Sequence, residues 1–161
     1  NIGYVIQGNI LFPHLTVAEN IAYVLHLKSY SKADIERIVT EKLQQVNLDP
    51  ELANRFPHQL SGGQQQRVGI ARALAANPNI ILMDEPFGAL DSITRHQLQH
   101  ELKALHLLSG ATLVFVTHDI AEALTLGTKV LVLDKGTIQQ YDTPERIKQH
   151  PANEFVKQLV N

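Results

Sequence analysis

Cysteine is missing altogether from the 161 residues. That excludes disulfides and thiolate metal sites, and it fits a reducing compartment. Long apolar runs are missing too: none approaches the roughly 20 residues that a membrane-spanning helix needs, and no secretory leader is legible. A role at a membrane would therefore be exercised through partners. Neither sign of charge dominates. Fourteen basic against sixteen acidic residues leave a net charge of −2, which supplies no basic field for nucleic acid. What is present suits a globular domain: 44% hydrophobic residues can build a core, and the length is near that of one domain.

The most informative stretch is Leu60-Ser61-Gly62-Gly63-Gln64-Gln65-Gln66-Arg67. A hydroxyl residue, two glycines and then helix-favouring residues read as a loop entering a helix with Ser61 as N-cap. Such an end offers free N–H groups and the positive pole of the helix dipole, and glycines let a phosphate approach the backbone. A plain glycine-rich turn is the alternative. Downstream, Ile80-Ile81-Leu82-Met83 reads as a buried strand, its four apolar residues without alternation suiting a central parallel position, and ends in Asp84-Glu85 and Pro86. In open α/β sheets ligands gather at the carboxyl ends of such strands. Two acids there can divide the work, Asp84 near a magnesium ion and Glu85 near an attacking water. The pair could equally cap the next loop.

Taken together, Leu60 to Gln64, the acid pair, Ala89-Leu90-Asp91 and Val116-Thr117-His118-Asp119 stand in an order and spacing that resemble the nucleotide-binding subunit of an ABC transporter. Gln7, in Ile2-Gly3-Tyr4-Val5-Ile6-Gln7, occupies the place of that family's Q-loop glutamine. The resemblance covers essentially the whole chain. It implies a P-loop NTPase-like α/β fold, with a mostly parallel sheet flanked by helices and an α-helical signature subdomain. It also implies ATP and Mg2+ as cofactors. Asp84 and Gln7 would face the metal, Glu85 the attacking water, and His118 the γ-phosphate. Two such subunits would pair head to tail, so that Ser61, Gly62, Gly63 and Gln64 close over nucleotide held by the other copy, with Asp91 at that interface.

Along the chain, residues 2 to 6 read as a short strand, and Gly8 to Pro13 carry turn residues. Thr16-Val17-Ala18-Glu19 has the form of a capping box, followed at helical spacing by Ile21, Val24 and Leu25. Ser31 opens a second helix with Ile35, Ile38, Val39, Leu43 and Val46 on one face. A helix from Gly62 to about Ala76 stops at Asn77-Pro78-Asn79. Another follows Asp91-Ser92, carries Leu98, Leu102, Leu105 and Leu108, and ends near Gly110. Thr112 to Val116 is a strand leading towards His118. Lys129 to Leu133 and Thr137 to Tyr141 form a hairpin around Asp134-Lys135-Gly136, and two short helices finish the chain. His96 and His100, four apart on a helix, lack a third ligand and read as surface residues.

On this reading residues 8–76 are the helical subdomain, and 1–7 with 77–161 belong to the catalytic core and tail. In the family the helical part receives a coupling helix of the transmembrane permease subunit, and Phe12, Pro13, His14 and Leu15 are the exposed apolar candidates for that contact. The glycine-rich phosphate loop with its Lys and Ser or Thr is not in the chain: Gly3 and Gly8 have the spacing, but Asn9-Ile10 follow. The expectation is a domain incomplete at its N-terminus, inactive alone, whose full form hydrolyses ATP at the cytoplasmic face of a membrane. The tail from Tyr141 through Val156 is similar to importer ATPases. The wording from Ile2 to Gln7 and from Leu11 to Val17 is most similar to those for glycine betaine, choline or related osmoprotectants. Such importers have a solute-binding protein outside the membrane, reached only indirectly. Importers of polyamines, sugars or other solutes stay open, as do a non-catalytic docking module and a soluble ABC ATPase.

Overall fold

The computed structural model describes residues 1–8, 11–88 and 90–160. The expectations at Asn9, Ile10 and Ala89 thus lie outside the described residues. Two compact units are present, residues 1–116 and 117–161.

In the first unit, three strands form a parallel sheet in the order β1 (Ile2–Val5), β2 (Ile80–Asp84) and β3 (Thr112–Val116). The register pairs Tyr4 with Leu82 and Leu82 with Val114, so β2 is central, as its apolar run predicts. One expectation is corrected here. Burial along β2 alternates, with Ile81 and Met83 at 0% and 3% exposure while Ile80 on the other face is 38% exposed. An unbroken apolar run does not say how many faces are covered; here one is. The opposite face carries Ile2, Tyr4, Val114 and Val116, all exposed. Packing on the covered face is close. A Cβ on Gly3 would stand 2.5 Å from the backbone oxygen of Ala73, so only glycine lets β1 lie against the helix that carries Ala73.

Helix α1 (Val17–Leu27) begins with the predicted reciprocal box between Thr16 and Glu19, and it buries Val17, Ile21 and Leu25. Helix α2 (Lys32–Gln45) is capped by Ser31 and buries Ile35, Ile38, Val39 and Leu43. Helix α3 (Gly62–Leu74) buries Val68, Ile70, Ala71 and Leu74 and packs with both. Burial of such side chains stabilises by about 1.5–3 kcal/mol each, and this is what holds the three helices together. The chain leaves α3 through Asn77, whose φ of +44° is a conformation asparagine tolerates. Asn77 Oδ1 and Gln45 Oε1 accept from the buried Lys42 ammonium at 3.0 and 3.1 Å. Burial lowers the Lys42 pKa below the ordinary lysine value.

Helix α4 (Ser92–Ser109) starts at Asp91 and stops at Gly110, a left-handed C-cap with φ +64°. Its buried stripe is Leu98, Leu102 and Leu105; Leu108, expected to share it, is 79% exposed. Three residues past Leu105 is a 300° turn of the helix, and the drift carries Leu108 off a stripe that narrow.

The second unit contains helix α5 (Ile120–Leu126), which the sequence reading passed over, then strands β4 (Val130–Asp134) and β5 (Thr137–Asp142). The hairpin is antiparallel, with Lys135 and Gly136 both at positive φ, the requirement of a tight two-residue turn. Helices α6 (Pro144–Gln149) and α7 (Glu154–Val160) follow, and Val130, Val132, Ile147 and Val156 form the core of this unit.

Candidate functional site

The carboxyl end of β2 is where the first unit departs from regular geometry. Glu85, directly after the strand, has φ +42°. For a residue with a side chain this costs on the order of 1–3 kcal/mol and persists only where neighbours impose it. They are identifiable. The Glu85 N–H donates to Val116 O at 2.9 Å, Gly88 N–H donates to Glu85 O at 3.2 Å, and Phe87, 1% exposed, anchors the turn edge-on to Phe115. The twist turns the Glu85 carboxylate towards Gln7, whose Nε2 donates to Glu85 Oε2 at 2.9 Å across 78 residues of sequence. A Cβ on Gly88 would stand 3.2 Å from the same Oε2, so the glycine leaves that carboxylate its place. Gln7 and Glu85, predicted as site residues from distant motifs, are therefore in contact, and Asp84 is adjacent on the strand.

The second cluster is the start of α3. Ser61 Oγ accepts from Gln64 N–H at 3.2 Å, and Gln64 Oε1 accepts from Ser61 N–H at 2.9 Å. Gln64 is thus also a capping partner. Ser61 Oγ serves the cap as an acceptor, which leaves its O–H able to donate to an oxyanion. The loop before it is tied down by Gln65 Nε2, which donates to Pro57 O and Leu60 O at 3.1 and 3.3 Å. Ser61 and Gly62 are exposed, and a Cβ on Gly62 would meet nothing within 4 Å. No internal packing requires glycine there, whereas close approach of a phosphate would.

Gly63 differs: its Cβ would stand 2.7 Å from Thr94 Cγ2. Thr94 Oγ1 in turn donates to Asp91 Oδ2 at 2.6 Å, and Asp91 Oδ1 accepts from the N–H groups of Ile93 and Thr94 at 3.1 Å. The Thr94 hydroxyl, followed by these backbone donors, holds the Asp91 carboxyl below its ordinary pKa, so it stays ionised. Through Thr94, Gly63 and Asp91 become neighbours. Deeper down, Arg67 clasps Glu101 with two hydrogen bonds of 2.9 Å, a forked pair that fixes α3 against α4.

The candidate docking loop is built by a residue the sequence reading did not single out. Asn20 is fully buried; its Oδ1 accepts from Phe12 N–H at 2.8 Å, and its Nδ2 donates to the carbonyls of Phe12, Leu15 and Thr16. A polar residue inside the Val17-Ile21-Leu25 stripe was the available signal. Pro13 and His14 are exposed as expected, while Phe12 and Leu15 are half-buried. Phe12 packs against Tyr23, the rings tilted by 40° with centroids 4.6 Å apart, beneath the Arg72 guanidinium at 5.3 Å.

His118 belongs to the second unit, two residues beyond β3, and is exposed in a short loop before α5. His96 and His100 are exposed on α4.

The chemistry of these groups sets what they could hold. Asp84 and the Gln7 amide offer hard oxygen ligands suited to Mg2+, which is commonly held by one or two carboxylates together with phosphates and water. Among the described residues no group of three or more His, Cys, Asp or Glu could hold a metal by itself. The Gly3 of the would-be phosphate loop lies in β1 and is used for packing. A cavity of about 540 Å3 lies elsewhere, at the amino ends of β2 and β3 beside Lys42 and Asn77. Among the described residues no helix is long and apolar enough to cross a membrane.

Comparison with known proteins places these features. The glycine betaine uptake system ATP-binding protein YehX of Escherichia coli (strain K12) is 52% identical over 158 residues, 98% of this chain and 51% of that protein. The glycine betaine/carnitine/choline transport ATP-binding protein OpuCA of Bacillus subtilis (strain 168) is 50% identical over 159 residues, 99% of this chain and 42% of that protein. The chain thus spans about half the length of these relatives. Among solved structures, a dimeric post-hydrolysis state of the ATP-binding cassette MJ0796 bound to ADP and Pi is similar with a TM-score of 0.78 and 42% identity, over 89% of this chain and 63% of that one. The family model described as ABC transporter matches residues 1–88, the span that holds β1, the three-helix insertion and the strained carboxylate after β2. With that match over more than half of its length, the chain belongs to the ABC transporter ATP-binding family.

Proposed function

We propose that the chain is part of the ATP-hydrolysing subunit of an ABC importer, serving quaternary amines such as glycine betaine, choline or carnitine. The observation that carries the reading is the 2.9 Å hydrogen bond from Gln7 to Glu85, supported by the φ of +42° that aims Glu85 at it. A chain that served only as a docking module would have no use for a strained carboxylate held by a remote amide. The substrate class rests on the relatives of about 50% identity, whose names speak of glycine betaine, carnitine and choline.

In this reading Glu85 orients the attacking water and takes up its proton, Asp84 and Gln7 hold Mg2+ through oxygen, and His118 meets the γ-phosphate. Held by Asp84 and Gln7, Mg2+ would supply positive charge that offsets the negative charge of the phosphates. Ser61, Gly62, Gly63 and Gln64 present a hydroxyl, an unobstructed backbone and the positive end of the α3 dipole to nucleotide held by a second copy, beside Asp91. Residues 8–76 form the helical subdomain and 1–7 with 77–161 the core and tail. The loop held by Asn20 contacts the transmembrane permease subunits at the cytoplasmic face, and the solute-binding protein is reached only through them.

The test is a calorimetric titration with Mg-ATP of this chain and of the same chain joined upstream to the phosphate-loop segment of the Escherichia coli relative. Binding by the extended chain only, with turnover abolished by Glu85→Gln, is the expected result. Equal binding by both, or full turnover without Glu85, would overturn the reading.

A further inference from the structure

The loop that carries His118 is locked in an unusual way. Asp119 is the N-cap of α5, its Oδ1 accepting from the N–H groups of Ala121 and Glu122 at 2.9 and 3.3 Å. With glutamate at the third helical position, the ordinary arrangement would have the Glu122 carboxylate accept from the Asp119 N–H and close a capping box. It does not. The Asp119 N–H donates to Thr117 Oγ1 at 3.0 Å, and Thr117 Oγ1 donates to Glu122 Oε2 at 2.7 Å. The Thr117 hydroxyl is interposed between cap and carboxylate.

The geometry has a consequence for the residue between. A hydroxyl that accepts from the N–H two residues on forms a small turn that is weak when the hydroxyl is free to rotate. Here its hydrogen is committed to a carboxylate in a short, charge-assisted bond, so its lone pair stays on the Asp119 N–H. Glu122 is 7% exposed, and such a group is kept in the interior when its acceptor has a fixed partner. His118, at the tip of this turn, is exposed. A buried carboxylate thus fixes the backbone on both sides of an exposed imidazole.

We infer that Glu122 is a positioning residue for His118, acting through the Thr117 hydroxyl. This rests on the proposed role of His118 at the γ-phosphate, but its structural half is independent of that role. Substitution of either partner frees the hydroxyl or removes it, and His118 then samples several positions where the lock allows one. Misplacement by about 1 Å is enough to lower a rate by up to about a hundred-fold.

The test has two arms. In the 161-residue chain, heteronuclear NMR relaxation reads the order of the His118 amide, and the melting temperature serves as a control. Thr117→Val, which keeps the shape and removes the hydroxyl, and Glu122→Ala should both loosen His118 while α6 and α7 keep their order; Thr117→Ser should restore it. In the extended chain, Thr117→Val should lower kcat by about ten-fold with the KM for ATP unchanged, again restored by Thr117→Ser. An unchanged His118 amide in Thr117→Val would overturn the inference, and so would an unchanged kcat where His118→Ala lowers it. A normal kcat in His118→Ala itself would instead refute the role given to His118, leaving the relaxation arm to judge the lock.

Discussion

Removing Glu101 should loosen the signature helix from the helix that carries Asp91. The Arg67–Glu101 pair makes two 2.9 Å hydrogen bonds, and its side chains are only 12% and 11% exposed. Unit charges about 4 Å apart attract by about 4 kcal/mol at an effective dielectric of 20, which bounds the gain from above. Breaking a buried pair from one side costs about 3–5 kcal/mol, and slight exposure places this one at the lower end. Glu101→Leu should therefore cost about 3 kcal/mol. Arg67→Met should cost less, about 2 kcal/mol, because Gln97 Nε2 still donates to Glu101 Oε1 at 3.2 Å. Replacing both should cost only about 2 kcal/mol, a coupling of about 3 kcal/mol, since no buried charge is left alone. Hydrogen exchange of the α3 and α4 amides reads this within one unit, with about a hundred-fold faster exchange in Glu101→Leu. The surface pair Arg37–Glu41, 65% and 47% exposed, is the control and should give under about 0.5 kcal/mol. Single variants that both stay within that control, without coupling, would show instead that packing alone sets the register of α3 against α4.

Alanine at Gly62 should change stability by less than about 0.5 kcal/mol in urea unfolding, because its Cβ meets nothing, yet abolish ATP-driven pairing of the extended chain. Alanine at Gly63 should destabilise by about 1–2 kcal/mol by pushing Thr94 from Asp91. Asn20→Leu keeps the forked shape but strips a partner from each of four backbone groups, so proteolysis at Pro13-His14 should accelerate while the α3 amides stay protected. Lys42 has a folded pKa below its unfolded 10.5, so the unfolded chain binds more protons in the window between the two. Stability should therefore rise with pH across that window, and Lys42→Met should flatten the rise in pH-dependent urea melts.

Much of the fold is legible in the sequence because its signals are local. Thr16-x-x-Glu19, Asp91 before α4, Gly110 after it and Lys135-Gly136 each dictate a cap or turn that the chain adopts. The order of the motifs likewise singles out Gln7, Ser61, Gly63, Glu85 and Asp91, and the structure brings Gln7 to Glu85 and, through Thr94, Gly63 to Asp91. What escaped depends on partners far away in sequence. Arg67 gives no sign that it will meet Glu101 34 residues later, nor Gly63 that Thr94 will stand against it. Helix α5, seven residues long, is too short for periodicity to declare it. The exposure of Ile80 is hidden for another reason: strand composition records affinity for an interior, and coverage of each face is decided by tertiary packing.

That half-covered sheet governs how the isolated chain behaves in a tube. Ile2, Tyr4, Val114 and Val116 lie side by side on a face open to water, and β1 ends the described sheet with a hydrogen-bonding edge free of charge and proline. Surfaces of this kind recruit like surfaces from other molecules. Light scattering that grows steeply with concentration, and clears when a mild non-ionic detergent wets the face, is the colloidal signature to look for before any binding measurement on the chain is interpreted.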